Sequence, residues 1–327
     1  MKYTLPQATL MALRKLYTKF AGEERFDLSK VTANYQMASD IIAAHIDSGT
    51  PFMLSRFGAV EIGAVATYVG MLSPHKPFDY VQNKAPQWWW NEGTRFCMKN
   101  NAGFFPNDDE HLEEFAKLML ESAPLIDILV SWQVQEKYLQ AYLSPDSKVS
   151  YDAVDPYFAE HPWTAHLRGK RVLVVHPFDA EIRQQYEQNR TKLFDNPEIL
   201  PEFGLITYKA VQSIGGSEEY ATWFDALEKM KADISQLDFD IALLGCGAYG
   251  MPLAAHIKRM GKQAIHIGGS LQLLFGIRGK RWEDPNYGSL VLKQKGRYTN
   301  LPNEYWIRPY ESSRTKNYKQ VDQGSYW

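Results

Sequence analysis

A chain of 327 residues, 45% hydrophobic and 13% aromatic, can bury a large core as one big α/β domain or two smaller ones. Its 36 basic and 38 acidic side chains leave a net charge of -2, which gives no electrostatic case for nucleic-acid binding. Two cysteines, Cys97 and Cys246, form neither a disulfide framework nor a CxxC pair, so the sequence reads as a soluble protein of a reducing, cytoplasmic compartment.

The N-terminal stretch "MKYTLPQATLMALRKLYTKFAGEERF" lacks the continuous apolar segment of a signal peptide, because Arg14, Lys15 and Lys19 interrupt it. No window reaches the roughly 18 apolar residues that a bilayer span needs. Amphipathic helices are predicted over 5–22 and 31–48, and residues 1–49 are read as helices packed on the core. Leu10, Leu13, Leu16, Tyr17 and Phe20 share one face of the first helix. Docking on its own domain is expected of that face, with contact to the inner face of a membrane as the alternative.

From residue 50 strands and helices alternate. Strands are predicted at Phe52–Phe57, Asp127–Trp132, Lys148–Asp152, Arg171–Phe178, Leu205–Val211, Asp240–Cys246 and Gln263–Gly268. In "EEYATWFDALEKMKADISQL", Tyr220, Trp223, Leu227, Met230, Ile234 and Leu237 form one helical stripe. Near-continuous runs such as "VLVV" and "IALLG" suit strands covered on both faces, as in parallel sheets. The expectation is an α/β, Rossmann-like, mostly parallel sheet with helices on both faces, spanning 50–282. An aromatic-rich helical insertion, 73–125, interrupts it with "KAPQWWWNEGTRFCMKNNAGFFPND", whose rings either cap the sheet or stack on a sugar. The segment 283–327 has little periodicity and is expected to wrap the surface, where its Trp, Tyr and Arg residues could equally close over a cleft.

Chemistry-bearing residues gather at predicted strand ends. In "FMLSRFGAVEIGAVATYVG", Arg56, Gly58 and Glu61 fall at a strand-to-helix turn. His176, Asp179 and Glu181 stand at the end of "RVLVVHPFDAEI", where open α/β sheets place ligands; Asp179 could also cap the following helix. Gly245, Gly247 and Gly250 make a GxGxxG between a strand and a helix. A dinucleotide site asks for an acid after the next strand, but His266 stands there, which disfavours NAD or S-adenosylmethionine and leaves phosphate approach or close packing. In "HIGGSLQLLFGIRGKRW", Gly268 and Gly269 lead to Ser270, a candidate N-cap, and then to Gln272. Arg278, Lys280 and Arg281 follow as candidate partners of a diphosphate. No GxSxG elbow, P-loop or zinc spacing is present.

Together "SRFGAVE", "VLVVHPFDAEIRQQYEQNRTKLF", "IALLGCGAYGMPLAAHIKRMGKQAIHIGG" and "LQLLFGIRGKRW" resemble the GT-D-type glycosyltransferases, over roughly residues 50–282. The resemblance implies a nucleotide-sugar donor, usually UDP-linked, and transfer to a hydroxyl of a glycan or lipid-linked acceptor in bacterial surface polysaccharide assembly. The family signature Arg-Phe-Gly-Asp-Gly-Glu is matched at Arg56, Phe57, Gly58 and Glu61, while Ala59 and Val60 replace its Asp and second Gly. The Asp-x-Glu pair helps hold a divalent metal, so Glu61 is the implied Mg2+ or Mn2+ ligand, or alternatively a general base, or the branch uses Arg and Lys in place of metal. A binding protein that has lost catalysis with the Asp is the competing expectation.

Overall fold

The computed structural model describes residues 5–216, 219–288, 292–321 and 324–327. Glu218, in the predicted stripe-bearing segment, and Asp322 and Gln323, in the C-terminal segment, lie outside the described residues. In chain order, helices α1 (Leu5–Ala21) and α2 (Tyr35–Asp47) precede strand β1 (Met53–Ser55) and helix α3 (Ala59–Leu72). The insertion contributes α4 (Pro77–Val81), α5 (Glu92–Asn100) and α6 (Asp109–Ser122). Then follow β2 (Ile128–Ser131), β3 (Ser147–Ser150), β4 (Arg171–His176), α7 (Asp179–Asn189), β5 (Gly204–Lys209) and α8 (Trp223–Ile234). The α/β unit closes with β6 (Ile241–Leu244), α9 (Gly250–Arg259), β7 (Gln263–His266), α10 (Leu271–Leu274) and α11 (Lys280–Glu283).

All seven predicted strands form, and they make one parallel sheet in the order β3-β2-β1-β7-β6-β4-β5. Leu54 registers with Ile128 on one side and Ile265 on the other. Both faces are covered, which is why the strand sequences run apolar without alternation. On β4, Leu173 and Val175 enter the core with α3, α6, α8 and α9, whereas Val172 and Val174 enter the opposite core with α2 and α7.

Local signals explain where the helices start. Asn34 Oδ1 accepts from Met37 N–H at 2.9 Å and Asp108 Oδ1 from His111 N–H at 3.0 Å, each satisfying a donor of the first turn. Thr222 and Asp225 form a reciprocal capping box on α8.

Trp88, Trp89 and Trp90 serve packing: Trp88 stacks on His75 at 4.9 Å, and Trp89 meets Tyr80 at 5.2 Å. The C-terminal segment lies along the α2/α7 side of the sheet. Arg278 N–H donates to Ile307 O at 2.7 Å, Trp306 Nε1 donates to Leu193 O at 3.1 Å, and the buried Arg297 guanidinium pairs with the buried Asp155. Among the described residues no helix is long and apolar enough to cross a membrane.

Candidate functional site

In a parallel sheet every strand ends at the same edge, so the residue after each strand faces a shared space. Here that space is a cavity of about 440 Å³ whose wall takes a residue from the carboxyl end of every strand. These are Arg56 after β1, Trp132 after β2, Tyr151 after β3, His176 on β4, Val211 after β5, Gly245 after β6 and His266 on β7. The β4 connection leaves outward to β5 while that of β6 leaves the other way to β7, and such reversals of strand order open a crevice between neighbouring loops.

The wall is chemically divided. Towards β3, β1 and β7 it carries Arg56, Arg281, Trp132, Tyr151, Tyr287 and Tyr326. Towards β6, β4 and β5 it carries Val211, Ile214, Ala248 and Met251 together with His176, Gln212 and Ser213, and no cation.

Arg56 sits over the Tyr151 ring, 4.9 Å from its centroid, and its buried Nε has no hydrogen-bond partner. A Cβ on Gly268 would lie 2.0 Å from Arg56 Nη2, and this glycine has φ +70°, so both contact and backbone exclude a side chain. Arg281 stacks on Tyr326 at 4.7 Å and donates to Ser325 Oγ at 2.9 Å. A Cβ on Gly269 would lie 2.4 Å from Tyr326, so the second glycine of the turn makes room for the aromatic ring.

Glu61 lies in the first turn of α3, buried, with its carboxylate folded back over the helix N-cap. A Cβ on Gly58 would lie 1.9 Å from Glu61 Oε2. Gly58 thus makes room for this chain's own carboxylate, which is a different use of the glycine from the donor approach that the motif suggests. Among the described residues Glu61 is the one acidic side chain in the wall.

Both histidines are buried. The N–H of Phe178 donates to His176 Nδ1 at 3.0 Å, which leaves the proton on Nε2. Burial lowers His176 to about 3, and burial with the Arg56 charge lowers His266 to about 3, so both are neutral imidazoles. His266 Nδ1 lies 3.0 Å from Ser55 Oγ. The GxGxxG glycines accommodate these rings. A Cβ on Gly245 would lie 2.6 Å from His176 Cδ2, and one on Gly250 would lie 2.2 Å from His266 Nε2, while Gly247 supplies a φ of +60°. Burial also pushes the Cys246 thiol up to about 12, so it is no nucleophile at neutral pH.

The structure thus brings Arg56, Gly58, Glu61, His176, Gly245, Gly247, Gly268, Gly269, Gln272 and Arg281 to one cavity. Asp179, Ser270 and Arg278 are outside its wall. Asp179 is the first residue of α7, half-buried, and the N-cap position belongs to Phe178. Ser270 does not cap: its hydroxyl donates to Ile267 O at 3.3 Å. The Arg278 guanidinium donates to Asn303 O at 2.9 Å and faces Glu283 at 3.8 Å, held by the C-terminal segment. Gln272 is fully buried, and its Nε2 is shared among the carbonyls of Ile277, Arg278 and Tyr326. Trp88, Trp89 and Trp90 do not reach the cavity; its aromatic surface comes from Trp132, Tyr151, Phe178, Tyr249, Tyr287, Tyr326 and Trp327. Trp132 and Tyr151 carried a sequence signal, because Trp132 ends one predicted strand and Tyr151 is the next-to-last residue of another.

The donor set does not make a protein-held divalent site. One carboxylate and two neutral imidazoles are spread over different strand ends, and no group of three or more His, Cys, Asp or Glu residues that could hold a metal occurs among the described residues.

No protein-family model matches the chain, and no curated protein matches it. Among solved structures, the chain is similar to a selenomethionine-substituted structure of domain of unknown function 1792, with 13% identity over 80% of this chain and 82% of that one, at a TM-score of 0.33. It is also similar, at 13% identity over 79% and 82% and a TM-score of 0.32, to a structure of which it is said that the highly conserved domain of unknown function 1792 has a distinct glycosyltransferase fold.

Proposed function

We propose that the chain is a glycosyltransferase that takes a nucleotide-sugar donor, with a UDP-sugar expected from the family resemblance, and passes the sugar to a hydroxyl of a glycan or lipid-linked acceptor. The observation that carries this reading is the Arg56 guanidinium, held on a glycine-only turn in the cavity where all seven strands end, with an unpartnered buried Nε and with Arg281 in the same wall. Two cations and aromatic rings at one end of a cleft suit a diphosphate joined to a ring system.

In the transfer, the bond from the anomeric carbon to the diphosphate oxygen breaks and the bond to the acceptor oxygen forms. Negative charge grows on the departing diphosphate, and Arg56 and Arg281 supply the fixed countercharge that lowers the barrier. In this reading Glu61 takes the acceptor's proton as general base. The neutral imidazole of His176 offers its Nε2–H as a donor within the same wall.

Ala59, in place of the acid of the family signature, favours a second reading, a nucleotide-sugar-binding protein without turnover. Thermal-shift measurements with UDP, GDP, CMP and their sugar conjugates, with and without Mn2+, test both. The expected result is a stabilisation by a nucleoside diphosphate without metal that disappears in Arg56→Gln, followed by slow donor hydrolysis. Absence of any shift would overturn the proposal. A shift found only with Mn2+ would return the diphosphate contact to Glu61, and binding without hydrolysis would leave the second reading.

A further inference from the structure

Helix α1 does not dock its most apolar stripe. It packs on α4 through an adjacent face: Arg14 Nε donates to Asn83 Oδ1 at 2.6 Å, the Arg14 guanidinium lies 4.5 Å over Tyr80, and Asn83 Nδ2 donates to Thr18 Oγ1 at 3.2 Å. Leu13, Leu16, Tyr17 and Phe20 stay exposed, Phe20 at 81%. Their spacing of three, four and seven residues puts them in one stripe of roughly 100°. Phe78, on the very helix that α1 packs against, is 83% exposed. Isolated exposed apolar residues are ordinary, but a row of four along one helix is not.

Charge decides what covers the stripe. Between Leu5 and Gly22 there are three cations and no carboxylate. Arg14 is held by Asn83 and Tyr80, while Lys15 and Lys19, one turn apart, are exposed. Of the carboxylates in neighbouring segments, Asp79 and Glu24 face Lys76 and Lys137, and Glu23 is exposed just past the end of the helix. A second copy of the chain packed on this stripe would bring two rows of lysines together with no acid on the helix to pair them. An anionic lipid surface meets both features at once, since its headgroups take the lysines and its acyl boundary takes the leucines and phenylalanines.

We infer that α1, with Phe78 beside it, is an interfacial anchor that lays the protein on an anionic phospholipid bilayer without spanning it. The inference is independent of the transfer reaction proposed for the cavity, and its test makes no use of nucleotide. The full chain is floated with vesicles of phosphatidylcholine alone and with vesicles that also contain phosphatidylglycerol, at low and high salt.

The expected result is flotation with the anionic vesicles only, weakened by salt. Each of Lys15→Gln and Lys19→Gln lowers partitioning by about fivefold, and Leu16→Glu with Phe20→Glu abolishes it. The two lysine variants change only exposed helix positions and so keep the test decisive if the glutamate variant misfolds. Flotation that fails with anionic vesicles, or that ignores both sets of substitutions, overturns the inference. So does a concentration-dependent dimer, seen without lipid, that Leu16→Glu with Phe20→Glu dissociates.

Discussion

Arg56 and Gly268 are in such close contact that a methyl group on the glycine would sit 2.0 Å from a guanidinium nitrogen. They are more than two hundred residues apart in the chain and meet because β1 and β7 are adjacent in the sheet. Gly268→Ala therefore has two effects. The left-handed backbone costs about 1–2 kcal/mol of stability, and the displaced guanidinium weakens nucleoside-diphosphate binding by roughly tenfold to a hundredfold. Gly261→Ala separates them, because Gly261 has φ +80° with nothing near its absent side chain. That variant is expected to lose stability in urea unfolding while keeping the nucleotide-induced shift. Equal loss of binding in both variants would remove Arg56 from the site.

The buried histidines predict an acid-sensitive fold. The sign follows from proton counting: His176 and His266 drop from an ordinary 6.5 to about 3 on folding, so between those values the unfolded chain binds more protons. The stability contributed by each is fully present above about 6.5 and is lost as pH falls towards 3, at up to about 1.4 kcal/mol per pH unit per histidine. His176→Asn, which keeps an acceptor for Phe178 N–H and cannot titrate, is expected to flatten the slope of unfolding free energy against pH by that amount. An unchanged slope would show that His176 titrates normally in the folded state.

The strands were legible because each carries an apolar run that fills both faces of the sheet, Val172 and Val174 on one side and Leu173 and Val175 on the other. The candidate site was legible where a polar residue follows such a run, as at Arg56, His176 and Gly245. It was illegible where tertiary contact decides. Asp179 sits three residues after His176, yet the chain has already turned into α7, and Ser270 spends its hydroxyl on Ile267 O. Tyr151, Tyr287 and Tyr326 come together only through the strand order and the path of the C-terminal segment, neither of which periodicity encodes. The same holds for Gly245 and Gly250, whose missing side chains are explained by two imidazoles from other strands.

Glu61→Gln tests the proton acceptor. The amide keeps the shape that fits over Gly58 but takes no proton, so transfer or donor hydrolysis is expected to fall by roughly 10²- to 10⁴-fold, with nucleotide binding preserved. Gly58→Ala is expected to match that loss, because its methyl group occupies the carboxylate's place. Rate measurements beside thermal shifts distinguish the cases. Retained turnover in Glu61→Gln would exclude the carboxylate from the chemistry, and lost nucleotide binding would place it on the donor instead.

A buried ion pair ties the C-terminal segment to the residues that follow β3. Arg297 pairs with Asp155, the Tyr298 hydroxyl donates to the same carboxylate at 2.6 Å, and Arg297 also donates to the backbone oxygen of Asp152 at 3.1 Å. Both members of the pair are almost fully buried, so removing one leaves an uncompensated charge away from water. Asp155→Asn or Arg297→Met alone is expected to cost about 3–5 kcal/mol. The combination Asp155→Asn with Arg297→Met costs less than the sum of the single changes, because no charge is stranded. This segment also carries Tyr326 and Trp327 into the wall, so the single variants should weaken nucleotide binding along with stability. Denaturant unfolding of the four proteins gives the coupling, and strictly additive losses would mean that the pair contributes no mutual stabilisation to the fold.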